Sequence, residues 1–161
     1  MGGYTVKIGF VSGCFDWLTP GHIRLFQAAR EQCDILHMLI ADDSTVQFYK
    51  GHVRPLLSYE ERCELVDACR YIDVVHKLRK VVNYSNQREL IKQIKPHCYF
   101  EGADSTDKDI ANYLTEFNIT RVTLYTEELH VSDILRRYDN RRYDPTTIYE
   151  EHITLGEIAG L

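Results

Sequence analysis

A short, largely apolar run, Val6-Lys7-Ile8-Gly9-Phe10-Val11-Ser12, passes directly into Gly13-Cys14-Phe15-Asp16-Trp17-Leu18-Thr19-Pro20-Gly21-His22, and this junction limits the folds open to the chain. The run has the composition of a first parallel strand in an α/β sheet. The end of the junction reads as a helix start: Thr19 caps, Pro20 suits the first helical position because its missing N–H costs nothing there, and Gly21 adds no side chain beside the free amides. Those amides and the helix dipole attract anions. His22 stands three, four and seven residues before Leu25, Phe26 and Ala29, which places it at the mouth of the buried stripe.

The remainder alternates in the same way. Strands are expected near 5–12, 34–41, 72–76, 97–101 and 121–125, and helices near 20–32, 58–70, 86–95, 107–117 and 131–138. Such alternation specifies a doubly wound, Rossmann-like five-stranded parallel sheet with helices on both faces. The right-handed crossover rule then gathers the strand-end segments 13–22, 42–50, 76–80, 102–104 and 126–132 in the crevice where strand order reverses. With 161 residues the chain is one domain's worth, and we expect a domain over 1–138 and a tail over 139–161 that packs on the domain or on a dimer partner. Ile148, Ile153, Leu155, Ile158 and Leu161 are the apolar positions of that tail.

Ser58 with Glu61 three residues on reads as a capping box, opening a helix whose apolar face includes Leu65, Val66 and Cys69. Arg62 then lies along the edge of the core, where a buried guanidinium needs an anion, either a phosphate or an acidic neighbour. A net charge of −5 argues against a general nucleic-acid binder. No run approaches the roughly 20 apolar residues that span a bilayer, and a signal-peptide pattern is absent, so a cytoplasmic protein is expected. Five cysteines, Cys14, Cys33, Cys63, Cys69 and Cys98, lack metal-site spacing and read as free thiols. Cys14 is expected to pack under the loop rather than act as a nucleophile.

Thr19-Pro20-Gly21-His22, placed after Gly13-Cys14-Phe15-Asp16, resembles the (His/Thr)-x-Gly-His signature of the nucleotidylyltransferase superfamily. Cytidylyltransferases and sugar-phosphate adenylyltransferases most often begin that motif with His, and Thr at this place resembles the phosphopantetheine adenylyltransferases. Lys50-Gly51-His52-Val53-Arg54-Pro55-Leu56-Leu57-Ser58-Tyr59-Glu60-Glu61-Arg62 is similar to the corresponding loop of the ADP-heptose synthase nucleotidyltransferase domain. Glycerol-phosphate cytidylyltransferases look similar with a different loop spacing. Tyr99-Phe100-Glu101-Gly102-Ala103-Asp104 resembles the strand-end Gly-x-Asp segment of these enzymes. Leu129-His130-Val131-Ser132-Asp133-Ile134 stands where they have a Ser-Thr-Thr helix start, with Tyr125 at a position that is Arg in glycerol-phosphate cytidylyltransferases.

The resemblance implies transfer of NMP from an NTP to a phosphorylated sugar or polyol with release of pyrophosphate, most like a heptose-phosphate adenylyltransferase. CTP with a small alcohol phosphate or phosphonate is the alternative, and a nucleotide-binding module without turnover is a third reading. The resemblance implies catalytic roles for His22, Lys50 and Arg62, with Lys50 on a loop able to fold over the site. It implies nucleotide contacts from Gly13, Cys14, Phe15, Thr19, Gly21, His22, Gly102, Asp104 and Ser132, and acceptor contacts from Asp16, Lys77 and Arg79. Mg²⁺ would enter with the NTP and need few protein ligands. A homodimer is permitted by the apolar tail.

Overall fold

A computed structural model describes residues 3–77, 84–103 and 110–124. The elements follow in the order β1 (Ile8–Gly13), α1 (Pro20–Arg30), β2 (Ile35–Ile40), α2 (Asp43–Lys50), α3 (Tyr59–Asp67), β3 (Val74–His76), α4 (Tyr84–Ile94), β4 (Cys98–Gly102), α5 (Ile110–Glu116) and β5 (Thr120–Leu124). The described residues belong to the first of two units into which the chain divides, Met1–Leu129. The expected helix at 131–138 and the tail 139–161 lie outside the described residues.

All five strands run parallel in the order β3-β2-β1-β4-β5. This is the doubly wound sheet that the alternation implied, and the order reverses between β1 and β4. β1 pairs with β2 along its whole length, from Ile8↔Ile35 to Gly13↔Ile40. With β4 its register holds Gly9↔Cys98 and Phe10↔Tyr99, while Phe100, Glu101 and Gly102 pair onward with β5. The β1–β4 pairing thus ends at Phe10↔Tyr99, short of the carboxyl ends of both strands, at the point where a crevice is expected beside the β1–α1 loop.

Side chains of a strand alternate between faces, and two cores result. Val11, Leu36, Met38, Ile40 and Phe100 meet Leu25, Phe26 and Ala29 of α1 and Cys63 and Val66 of α3. Phe10, Leu39 and Tyr99 meet Leu90 and Ile91 of α4 and Leu114 of α5 on the other face. Each large side chain so buried stabilises the fold by about 1.5–3 kcal/mol.

Helix α2 departs from the sequence expectation, which left 42–50 as a strand-end segment. Asp42 caps it by accepting from the Thr45 amide at 2.9 Å. The helix is only eight residues long and buries Thr45 and Val46, whereas Phe48 and Tyr49 are largely exposed, so its large apolar residues do not mark its buried face. In α3 the capping box is present, but the buried stripe is Tyr59, Arg62, Cys63 and Val66, and Leu65 faces solvent.

Gly9 sits where β1 passes closest to the first core. A Cβ there would stand 2.7 Å from both Cys33 Sγ and Phe100 Cε2. Gly9→Ala is expected to destabilise the protein by about 1–3 kcal/mol through overpacking, read as a lower denaturant midpoint at unchanged slope; an unmoved midpoint would show that the interior yields there.

Candidate active site

The loop between β1 and α1 is shaped by one aromatic residue. Phe15 adopts φ 45°, a left-handed conformation unusual for a bulky side chain. Its ring turns back beneath Gly13, where a Cβ would meet ring carbon Cζ at 2.7 Å, so only glycine fits. The ring then packs edge-on against Phe26 at 5.2 Å and against His22 at 5.5 Å between centroids. The loop thus rests on the first core, and it presents its backbone at the carboxyl end of β1.

Thr19 caps α1 as expected, and its partner in the capping box is His22. The Thr19 hydroxyl accepts from the His22 amide at 3.4 Å, and the Thr19 amide donates to His22 Nδ1 at 3.1 Å. Because Nδ1 accepts from a backbone N–H, the neutral ring carries its proton on Nε2, on the side turned away from Thr19. A histidine in the place usually held by Glu or Gln is therefore fixed both in orientation and in tautomer. Gly21 is buried in the first turn beside it, at the positive end of the helix dipole.

Arg62 is wholly buried, and its guanidinium is held by the protein itself. Nε donates to the Leu57 carbonyl at 3.2 Å, Nη1 to the Cys14 carbonyl at 2.5 Å and Nη2 to the Asp43 carboxylate at 2.8 Å. The Tyr59 ring lies 5.7 Å from its central carbon. Of the two anions that the sequence left open for Arg62, a phosphate or an acidic neighbour, the structure shows the acidic neighbour, Asp43. Sequence reasoning did not single out Asp43. A pair of aspartates directly after β2 was the available signal, one for the helix cap and one for a partner.

Asp16 is also enclosed, at 5% exposure. It accepts from Arg54 Nη1 at 2.7 Å, from the Leu56 amide at 2.6 Å and from the Leu57 amide at 3.2 Å. Burial alone would raise its pKa, yet these amides and the guanidinium together hold it below the usual carboxylate value. Asp16 thereby bonds the β1–α1 loop to the segment ahead of α3. Burial pushes the Cys14 thiol up although Lys50 and Arg62 pull it down, so Cys14 is a neutral packing group rather than a thiolate.

Lys50 is exposed, but it ends helix α2 rather than riding on a loop, and Gly51 caps that helix at φ 90°. Its charge pulls on the Cys14 thiol, so it stands on the same side of the molecule as the β1–α1 loop. Gly102 closes β4 at the far side of the crevice. Lys77 is exposed just beyond β3, and His76 turns inward to bond His37 at 2.8 Å. Asp104, Arg79, Ser132 and Tyr125 lie outside the described residues. All five cysteines are free. Among the described residues no helix is long and apolar enough to cross a membrane.

A family model described as cytidylyltransferase-like matches residues 10–144. The bifunctional protein HldE of Rhodopseudomonas palustris (strain BisA53) is 34% identical over 107 residues, which cover 66% of this chain and 21% of that protein. HldE of Gluconacetobacter diazotrophicus is 36% identical over 99 residues, covering 62% of this chain and 20% of that protein. The chain thus spans about a fifth of the length of the curated relatives it matches. In fold it is similar to the lipopolysaccharide core biosynthesis protein from Thermoplasma volcanium GSS1, with a TM-score of 0.61 at 18% identity over 78% of this chain and 100% of that one. It is similar also to a pantoate-beta-alanine ligase from Francisella tularensis, with a TM-score of 0.52 at 16% identity over 86% of this chain and 72% of that one.

The Asp16 bonds carry a signed pH dependence. A carboxylate with a depressed folded pKa stabilises the protein above its ordinary value of 3.8, and that stabilisation is lost as pH falls through the folded value. Asp16→Asn is expected to cost roughly 1–3 kcal/mol at neutral pH, with the gap to the wild type narrowing below about pH 4. Urea unfolding of both proteins at pH 7 and pH 3 reads this, and a gap of equal size at both pH values would contradict it.

Proposed function

Because the chain belongs to the cytidylyltransferase-like family, matched over residues 10–144, we propose that it transfers a nucleoside monophosphate from an NTP to a phosphorylated sugar or polyol. The observation that carries this reading is the α1 start, where a helix N-terminus, a buried glycine and a tautomer-fixed histidine stand together at the mouth of the crevice. The segment from Lys50 to Arg62, similar to that of ADP-heptose synthase domains, favours ATP and a heptose phosphate. HldE among the relatives supports the same choice.

In the proposed reaction an oxygen of the acceptor phosphate attacks the α-phosphorus. The bond from that phosphorus to the bridging oxygen breaks, and pyrophosphate leaves with the electron pair. Both reactants are anions, so the protein acts chiefly by positioning them and by stabilising charge on the leaving group. His22 donates from Nε2 to the phosphates, the first turn of α1 adds its dipole, and Lys50 supplies a mobile positive charge from the end of α2. Gly102 borders the base side of the crevice, and Lys77 meets the acceptor phosphate. Arg62 and Asp16 act from beneath, by holding the loop.

Mg²⁺ belongs to the NTP in this reading. The buried carboxylate of Asp16 is already bonded to Arg54 and two amides, and among the described residues no three carboxylate, His or Cys groups cluster. The donor set suits an ion that arrives on the nucleotide and keeps phosphate oxygens and water as its ligands. The ion would neutralise phosphate charge.

Pyrophosphate release with ATP and with CTP, each against heptose, glycerol and ethanolamine phosphates, tests the proposal. ATP with a heptose phosphate is expected to turn over, and His22→Ala is expected to lower kcat by about 10²–10³ through loss of one preorganised donor. Turnover only with CTP and a small alcohol phosphate would transfer the activity to that substrate class. Full activity in His22→Ala would contradict the site.

A further inference from the structure

The fully buried guanidinium of Arg62 does more than balance Asp43, because of which carbonyl it holds. The Cys14–Phe15 peptide is trans, and in a planar trans peptide the N–H points opposite to the C=O. Arg62 Nη1 fixes the Cys14 carbonyl toward α3 at 2.5 Å, so the amide of Phe15 is turned the other way, away from Arg62. Phe15 then leaves this peptide at φ 45° with its ring locked under Gly13 and against Phe26, which prevents the peptide plane from swinging independently of the side chain.

We propose that Asp43 and Arg62 are positioning residues that aim the Phe15 amide of the phosphate loop at the nucleotide's phosphates. This rests on the reading of the site given under the proposed function. A guanidinium with three differently directed partners has one orientation, and Asp43 supplies the charged one. Asp43 is the first residue of α2, where the helix N-terminus stabilises its negative charge. The contact therefore runs from α2 through Arg62 to the loop, and the helix that ends in Lys50 is tied to the same peptide. Lysine at position 62 would keep the charge, but it offers a single head group and cannot span Leu57, Cys14 and Asp43 together.

The Asp43 side chain is 41% exposed, so shortening it leaves no sealed cavity. The test follows the Phe15 amide in ¹⁵N–¹H spectra of the full chain as inorganic pyrophosphate with Mg²⁺ is added. In wild type the Phe15 amide is expected to shift on binding. In Asp43→Ala the affinity is expected to fall roughly tenfold to a hundredfold, as misplacement of a binding group by about an ångström does, and the Phe15 shift is expected to collapse. Asp43→Asn, which keeps an acceptor oxygen without the charge, is expected to lie between the two. Asp73→Ala breaks the Arg30 pair and the bond from the Leu36 amide near the start of β2, and serves as the control: it lowers Tm without changing pyrophosphate affinity. If Asp43→Ala does not fold, Asp43→Asn decides, since it too is expected to bind more weakly than wild type. Wild-type affinity and an unchanged Phe15 shift in the folded Asp43 variants would overturn the positioning role alone. Failure of wild type to bind pyrophosphate or nucleotide at the loop would overturn the site reading itself.

Discussion

A guanidinium sealed from water is the constraint around which the candidate site is arranged. Burying an ion costs several kcal/mol unless charge and hydrogen bonds are returned to it inside. Arg62 lies within the stripe of α3 that faces the first core, so the chain must bring it partners, and those partners come from three separate segments: Cys14 of the phosphate loop, Leu57 ahead of α3 and Asp43 of α2. Asp16 makes the complementary connection, from the loop to Arg54 and to the amides of Leu56 and Leu57. Two charges of opposite sign thereby fasten the same loop to the same neighbouring segment. Removing one partner would leave a buried charge uncompensated, which makes the arrangement specific as well as stable.

The sheet supplies the other half of the account. A parallel doubly wound sheet leaves a crevice where its order reverses, here between β1 and β4, whose pairing ends at Phe10↔Tyr99. The loop from Gly13 to Thr19 lies at its edge because β1 ends there. Helix α1 then directs its N-terminus at the same place, and the reciprocal bonds of Thr19 and His22 set the imidazole before any ligand arrives. Preorganisation of this kind is what the proposed reaction between two anions would require, since the protein's contribution there would be position and charge rather than covalent chemistry.

Much of this was legible in the sequence, and the rest was hidden for definite reasons. The cap at Thr19, the burial of Leu25, Phe26 and Ala29 and the parallel sheet all follow from local pattern, because each signal and its consequence lie within a few residues. Helix α2 was not legible because it is short and its aromatic residues, Phe48 and Tyr49, face solvent instead of marking its buried face. The partner of Arg62 was missed for the same reason, since Asp43 belongs to that unread helix and stands 19 positions away. Arg62 itself reads as an anion-seeking residue from its place in the stripe, but sequence pattern alone does not tell a phosphate from a carboxylate. Asp16 beside a phosphate loop invites a ligand role; only the fold brings Arg54 and the Leu56 amide to it. Leu65 follows the helical period less well than Tyr59, Arg62, Cys63 and Val66, and a charged member of the stripe obscured that.

The claim on which the account depends is that the acceptor phosphate attacks the α-phosphorus of an NTP at this crevice. It is tested most directly with an acceptor sugar phosphate whose phosphate oxygens carry ¹⁸O, followed by mass analysis of both products. The account predicts that the nucleotide-linked product retains all of the label and that the pyrophosphate carries none. Label in the pyrophosphate, or an NDP with a doubly phosphorylated acceptor in place of pyrophosphate, would contradict it.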